Sequence, residues 1–350
     1  MQRDLILDCQ FGSTGKGLFA SYLAQKRNPD VIAFAPSPNA GHTFWHNGKE
    51  VVHKMLPCGV TSKNLQAIVL GPGSLLDLGR LAKEYSELDE PPRLYIHENA
   101  AVVSADHKFA EKDGNTAPGS TRSGAGAAQA ARILRRPEGK QVAFLNDDHP
   151  IFEVATLIDT PNLQRIYQKA DSLQIESCQG YSLSIYHGRY PYCTSRDVTA
   201  ASVLSDCGVP YTHRLTVYGT FRTYPIRVAN RPEAGEHSGP CYDDQAETTF
   251  EAIGQEQEFT TVTKLPRRIF TFSQEQAREA CVQSHVDFGF LNFAQYPQTF
   301  EELLEIWEGL NRSCTVMWLG FGPRAADVYR IGAPAISKDY VRGLYDQYRD

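Results

Sequence analysis

The stretch Asp8-Cys9-Gln10-Phe11-Gly12-Ser13-Thr14-Gly15-Lys16-Gly17 constrains this chain more than any other. It follows the apolar run Leu5-Ile6-Leu7 and precedes Leu18-Phe19-Ala20-Ser21-Tyr22-Leu23-Ala24, whose apolar spacing suits a helix. The order predicted is strand, glycine turn, helix. Glycines let backbone N–H groups turn toward an anion, the helix N-terminus adds positive potential, and Lys16 supplies a mobile cation. Together these can cradle the phosphates of a nucleotide. The pattern departs from the common G-x-x-x-x-G-K-[ST], since Gly12 stands only four residues before Lys16 and Gly17 replaces the hydroxyl residue. Read alone, the stretch competes with a plain tight turn, because short glycine motifs often match by chance.

The 350 residues can bury a substantial core, and their number permits one or two domains. A hydrophobic share of 41% and a charged share of 22% are ordinary for a soluble globular protein. The net charge of −6 opposes a nucleic-acid-binding surface. No apolar run is long enough to span a bilayer, and Met1-Gln2-Arg3-Asp4 leads into a strand-like segment with no signal-peptide pattern. The eight cysteines lie far apart without a C-x-x-C pair, which predicts buried reduced thiols and a cytoplasmic protein.

Along the chain, strand and helix signals alternate. Val31-Ile32-Ala33-Phe34, Ala67-Ile68-Val69-Leu70-Gly71 and Leu94-Tyr95-Ile96-His97 read as buried strands, and Gly73-Ser74 opens an amphipathic helix through Leu75, Leu78, Leu81 and Tyr85. The polar, glycine-rich residues 111 to 123 lead into a helix from Ala125 to Leu134, with Ser123 as its cap. Ile175-Glu176-Ser177-Cys178-Gln179-Gly180 reads as a strand, and Asp197 or Thr199 caps a helix through Val203 and Leu204. Residues 217 to 228 alternate in strand fashion, 230 to 244 form a long polar loop, and 260 to 268 form a second candidate binding loop. Strands at 288 to 293 and 315 to 319 flank a helix over 299 to 310. The reading is a single α/β domain, residues 1 to 350, with a mainly parallel sheet flanked by helices and long functional loops.

Pro38-Asn39-Ala40-Gly41-His42-Thr43 follows the second apolar run. With the glycine loop, it resembles the adenylosuccinate synthetase family, whose hallmarks are a G-D-E-G-K-G loop and an N-A-G-H-T segment. Three further segments match in order: Gly119-Ser120-Thr121-Arg122-Ser123-Gly124, the Gln179-Gly180 pair, and Tyr190-Pro191-Tyr192-Cys193-Thr194-Ser195. Ser13 stands where the family has aspartate. That departure and Thr260-Thr261-Val262-Thr263-Lys264 resemble the phage branch of the family, the 2-aminoadenylosuccinate synthetases. The resemblance implies a ligase that joins L-aspartate to dGMP with hydrolysis of ATP or dATP, through a 6-phosphoryl intermediate. The alternatives are an ordinary synthetase using IMP and GTP, or a silent nucleotide-binding relative.

The resemblance also implies roles, residue by residue. His42 donates to the purine 6-oxygen and the transferring phosphate, and Lys16 clamps the phosphates. Ser13, Thr14, Gly15, Gly17, Gly41 and Thr43 complete the triphosphate side, with Arg267 beside them. Asn292, Gln295, Gly320, Gly322 and Pro323 complete the ATP-binding set, with Asn292 able to pair with adenine; Ala294, in place of an aspartate that reads guanine, favours adenine. Asn39, Ala40, Thr121 and Thr194 hold the acceptor nucleotide, and Gln179 contacts its base. Thr261, Val262, Thr263 and Arg267 grip the aspartate carboxylates. Mg²⁺ falls to Ser13 and Gly41, with Gly41 and phosphate oxygens the firmer ligands because a serine hydroxyl is neutral. Arg135, fourteen residues after Thr121, acts across a homodimer interface. Ser13 leaves room for the 2-amino group of guanine, and Leu265, in place of an arginine, suits a deoxyribose.

Overall fold

Both faces of a parallel sheet are covered, so its strands carry apolar side chains in both directions. Leu5-Ile6-Leu7, Val31-Ile32-Ala33-Phe34 and Ala67-Ile68-Val69-Leu70 read as unbroken apolar runs for that reason, and all of these side chains are buried. The computed structural model describes residues 2–112, 119–137, 139, 141–142, 149–211, 214–230, 237–260, 264–332 and 337–349, and places these runs in a ten-stranded sheet. Across the sheet the order is Val328–Arg330, Thr315–Gly320, Phe288–Asn292, Leu215–Arg222, Gln2–Asp8, Ser172–Gly180, Val31–Phe34, Ala67–Leu70, Arg93–His97 and Ala155–Ile158. Only the Val328–Arg330 edge strand runs antiparallel to its neighbour. The mainly parallel α/β reading holds.

Gln2–Asp8 lies inside the sheet, with Leu5 opposite Val217 on one side and Ile175 on the other. Alternate residues face opposite ways. Leu5 and Leu7 join a core with the helices Thr160–Lys169, Ala200–Cys207, Gln274–Ser284, Phe300–Leu310 and Lys338–Arg349. Ile6 packs on the other face with Phe19 of the helix Lys16–Arg27 and with Tyr218, Phe290 and Trp318. The Phe19 ring stacks on Phe290 at 4.7 Å, and truncating so buried a ring costs about 3–5 kcal/mol.

Three sequence expectations change in detail. The helix expected from Ser74 begins at Leu78, because Leu75–Leu76 pairs in parallel with Ala101–Val102 and the Asp77 carboxylate then accepts from the Arg80 N–H. Ser123 does not cap the helix Ala125–Ile133. Gly124 precedes it at φ 84°, and the Glu111 carboxylate accepts from the N–H groups of Gly124, Gly126 and Ala127. The strand expected over 217 to 228 ends at Arg222. Pro225 has no N–H for a ladder, and beyond it Ile226–Arg227 pairs with Arg268–Phe270 in a separate small sheet. All eight cysteines are free thiols and six of them are buried, as expected. Among the described residues no helix is long and apolar enough to cross a membrane.

Gln2–Asp8 connects through its helix to Val31–Phe34 on one side, whereas Ser172–Gly180 connects to Leu215–Arg222 on the other, and this reversal opens a crevice at the strands' C-terminal ends. Asp8, Phe34, Gly180, Arg222 and Asn292 end their strands along that edge.

Candidate active site

Asp8 builds the glycine loop. Its buried carboxylate accepts from the N–H groups of Gln10 (3.0 Å), Gly12 (3.2 Å) and Thr14 (3.3 Å), and from the Thr14 hydroxyl (2.7 Å). Burial nonetheless raises its pKa, against the hydrogen bonds of Thr14 and Gln10. The loop leaves Ser13 in the left-handed region at φ 58°. Gly15, at φ 84°, opens the helix, and a Cβ there would meet the Asn292 amide nitrogen at 2.0 Å. Only glycine fits.

Lys16 and His42 are both buried, and Lys16 Nζ lies 3.0 Å from His42 Nδ1. Burial first, then the charges of Lys16 and His53, hold the imidazole pKa well below its ordinary range. His42 is therefore neutral near pH 7. Its Nε2 lies 3.7 Å from Cys178 Sγ. Gln179, at φ 67°, donates from Nε2 to Asn39 Oδ1 (3.0 Å), and Asn39 Nδ2 donates to Thr194 Oγ1 (3.4 Å). Residues far apart in the chain thus form one polar cluster. Thr121 sits on the loop before the helix Ala125–Ile133, its hydroxyl donating to Ser123 Oγ at 3.1 Å.

Across the cleft, Arg267 Nη1 donates to Ser13 Oγ at 3.0 Å. Arg222 is fully buried, donates from Nη2 to Glu258 Oε1 at 2.6 Å and from Nη1 to the Ser13 carbonyl at 3.3 Å, and lies 3.9 Å over the Phe293 ring. Burial would raise the Glu258 pKa, but the Arg222 charge and hydrogen bond hold it below the usual glutamate range. Glu258 is thus ionised at neutral pH.

Apart from Arg222 and Cys178, which lie behind the wall, these side chains border one cavity of about 1030 Å³. Ser13, Gly15, Lys16 and Gly17 border it, with Asn39, Ala40, Gly41, His42 and Thr43, then Thr121, Gln179, Thr194, Leu265 and Arg267. The volume sits at the top of the range for a single ligand and has room for more than one. Thr14 is buried beneath the loop, its hydroxyl on Asp8 and 2.6 Å from Thr220 Oγ1. Asn292, Gln295, Gly320, Gly322 and Pro323 lie outside the cavity wall at the ends of neighbouring strands. Asn292 Nδ2 donates to the Thr14 carbonyl at 3.3 Å, and the Gln295 side-chain oxygen has no hydrogen-bond partner among the described residues. Arg135 is exposed just past its helix, whereas its neighbour Arg136 borders the cavity. Thr261, Val262 and Thr263 lie outside the described residues.

Sequence reasoning passed over Glu258, Arg222, Phe293 and Cys178. Each sits in an apolar or mixed run where the chain gives no motif, and only the third dimension brings them to Ser13 and His42. A signal existed for Asp8, the acid that ends the first strand just before the loop.

For a metal, the site offers the oxygens of Gly41 and Ser13, and among the described residues no group of three or more His, Cys, Asp or Glu could hold an ion. This neutral oxygen set fits Mg²⁺ only as an ion carried mainly by phosphates and water.

The fold is that of the adenylosuccinate synthetases: the family model for adenylosuccinate synthetase matches residues 5–156 and 154–304, and the chain belongs to that family. Within it, the chain is 52% identical to the N6-succino-2-amino-2'-deoxyadenylate synthase of Cyanophage S-2L, over 99% of this chain and 96% of that protein. The enzyme of the same name from Acinetobacter phage SH-Ab 15497 is 41% identical over 98% of this chain and 97% of its own length. A solved structure of the Cyanophage S-2L succinoaminodeoxyadenylate synthetase, bound to dGMP and to dATP as an energy donor, superposes with a TM-score of 0.96 at 52% identity, covering 99% of each chain.

Proposed function

We propose that this protein is a carbon–nitrogen ligase that condenses L-aspartate with dGMP at the expense of ATP or dATP, giving N6-succino-2-amino-2'-deoxyadenylate. One observation carries the reading. A serine, not a carboxylate, projects from the glycine loop into a cavity that also gathers Lys16, His42, the Asn39–Gln179–Thr194 cluster and Arg267. A carboxylate there would serve hypoxanthine; a hydroxyl leaves room for the 2-amino group of guanine and can accept from it. Similarity to phage enzymes named for this product supports the same substrate.

The chemistry follows from the residues. The purine 6-oxygen is a poor leaving group, so it first takes the donor's terminal phosphoryl group, with release of the nucleoside diphosphate and of the N1 proton, and the aspartate amine, giving up a proton, then displaces phosphate from C6. Lys16 and the loop N–H groups hold the phosphates, and His42 donates to the oxygens on which charge develops. Asn39, Thr121 and Thr194 seat the acceptor's monophosphate, and Gln179 fixes its base. Arg267, released from Ser13, takes an aspartate carboxylate. Leu265 packs against the deoxyribose, where a 2'-hydroxyl would lack a partner. Mg²⁺ would be held by Gly41, phosphate oxygens and Ser13, and neutralises phosphate charge when bound.

The working unit is a homodimer in the cytoplasm. Ile133 and Leu134 are 67% and 56% exposed beside Arg135, and Phe109, on the helix Ala105–Lys112 that packs against Ala125–Ile133, is 66% exposed. A second copy covering that apolar face would carry Arg135 to its partner's acceptor site. The test is mass detection of a succino-nucleotide after incubation with aspartate, Mg²⁺ and a panel of mono- and triphosphates. Product from dGMP with ATP or dATP supports the reading; product from IMP alone overturns it.

A further inference from the structure

After the strand Val31–Phe34 the chain runs Ala35-Pro36-Ser37-Pro38-Asn39, and its two prolines have no N–H to donate. Asn39 nevertheless stands within 3.4 Å of Thr194, which comes from a loop 155 residues further on. Arg196, two residues past Thr194, joins the two segments. It donates from Nη1 to the Ala35 carbonyl at 2.9 Å and from Nη2 to the Gly73 carbonyl at 3.2 Å. One guanidinium thus ties the loop of Thr194 to the ends of two neighbouring strands, Val31–Phe34 and Ala67–Leu70. The loop's backbone is held on its other side: the Thr194 N–H donates to the Leu183 carbonyl at 2.7 Å, and the Ile185 N–H donates to the Arg196 carbonyl at 3.0 Å. The Asp206 carboxylate lies 3.6 Å from Arg196 Nη1, and Arg132, on the helix that follows Thr121, is near enough for its charge to act on the same carboxylate. At 3.6 Å the pair balances charge without a hydrogen bond, so the two carbonyl bonds of the planar fork set the geometry. The Arg196 side chain is 9% exposed and does not border the cavity.

We infer that Arg196 is a positioning residue for the acceptor's phosphate. It sets the loop of Thr194 against that of Asn39, so that both polar side chains are in place before the nucleotide arrives. This rests on the function proposed above, in which Asn39, Thr121 and Thr194 seat the monophosphate of dGMP. Without the fork, the ligand itself has to order the loop, and that ordering opposes binding. At saturation the bound phosphate supplies the order, so turnover changes little.

The test combines steady-state kinetics, calorimetric dGMP binding and hydrogen exchange in the full-length protein. Arg196→Ala removes the fork and its charge, whereas Arg196→Lys keeps a charge near Asp206 but cannot span both carbonyls. Each should raise the Kd and KM for dGMP about tenfold, with kcat and the KM for ATP and aspartate within about twofold of wild type. In the ligand-free variants, peptides covering residues 36–40 and 183–196 should exchange faster than in the wild type, and saturating dGMP should remove the difference. Wild-type dGMP affinity in either variant would overturn the inference. So would equal losses for all three substrates, or unchanged exchange in those peptides. Failure of both variants to fold would overturn it too, because Arg196 would then serve the fold and not the phosphate. A wild type that neither binds dGMP nor makes a succino-nucleotide counts against the proposed function, while exchange in the ligand-free proteins reads the tie separately.

Discussion

Arg267 reaches across the cleft and donates from Nη1 to the Ser13 hydroxyl at 3.0 Å. The loop that would grip aspartate is thereby tied to the loop that would grip phosphate. Ser13 offers a neutral acceptor, so the tie is one hydrogen bond and not an ion pair, and an arriving carboxylate can compete for the guanidinium. Arg267→Ala should raise KM for aspartate at least tenfold while changing KM for dGMP little. Initial rates against aspartate check this, and an unchanged aspartate KM would count against the assignment.

Glu258 supports both sides of that tie. It pairs with the fully buried Arg222, whose other nitrogen reaches the Ser13 carbonyl, and it lies 4.0 Å from Arg267. Glu258→Gln removes the negative charge beside a buried guanidinium. The expected loss is about 2 kcal/mol of stability, reduced from a fully buried pair because Glu258 is partly exposed. Urea unfolding reads it; an unchanged midpoint would mean the pair is not holding the loop.

Arg135→Ala should raise KM for the monophosphate while leaving the fold intact, since the side chain is exposed. Mixing it with an inactive Lys16→Ala protein should restore part of the activity, because a hybrid dimer then holds one intact site. A fully active monomer would contradict the shared site.

The donor should be ATP or dATP in preference to GTP. Ala294 is buried and has no side-chain acceptor for the guanine N1–H and amino group, so two donors would go unpaired at about 1–3 kcal/mol each. Equal kcat/KM with GTP and ATP would contradict this.

The sequence made the sheet legible where buried parallel strands leave unbroken apolar runs, as at Val31–Phe34. It made the phosphate side legible because glycines and Lys16 act locally. What stayed hidden depends on contacts distant in the chain. Leu75–Leu76 reads as helix until its partner Ala101–Val102 is in view, and Glu111 caps a helix whose N-cap Gly124 stands thirteen positions further on, a distance no local rule spans. Glu258 has the same character: unremarkable in sequence, and of consequence only where the fold sets it against Arg222.

The central claim is that a hydroxyl at position 13 selects a 2-aminopurine. It is tested by kcat/KM for dGMP, GMP, dIMP and IMP, on the wild type and on Ser13→Asp. The wild type should prefer dGMP over dIMP by at least tenfold, and Ser13→Asp should erase or reverse that preference, because the carboxylate crowds the 2-amino group and forms an ion pair with Arg267. Equal use of IMP and dGMP by the wild type, or an undiminished 2-amino preference in Ser13→Asp, would contradict the account.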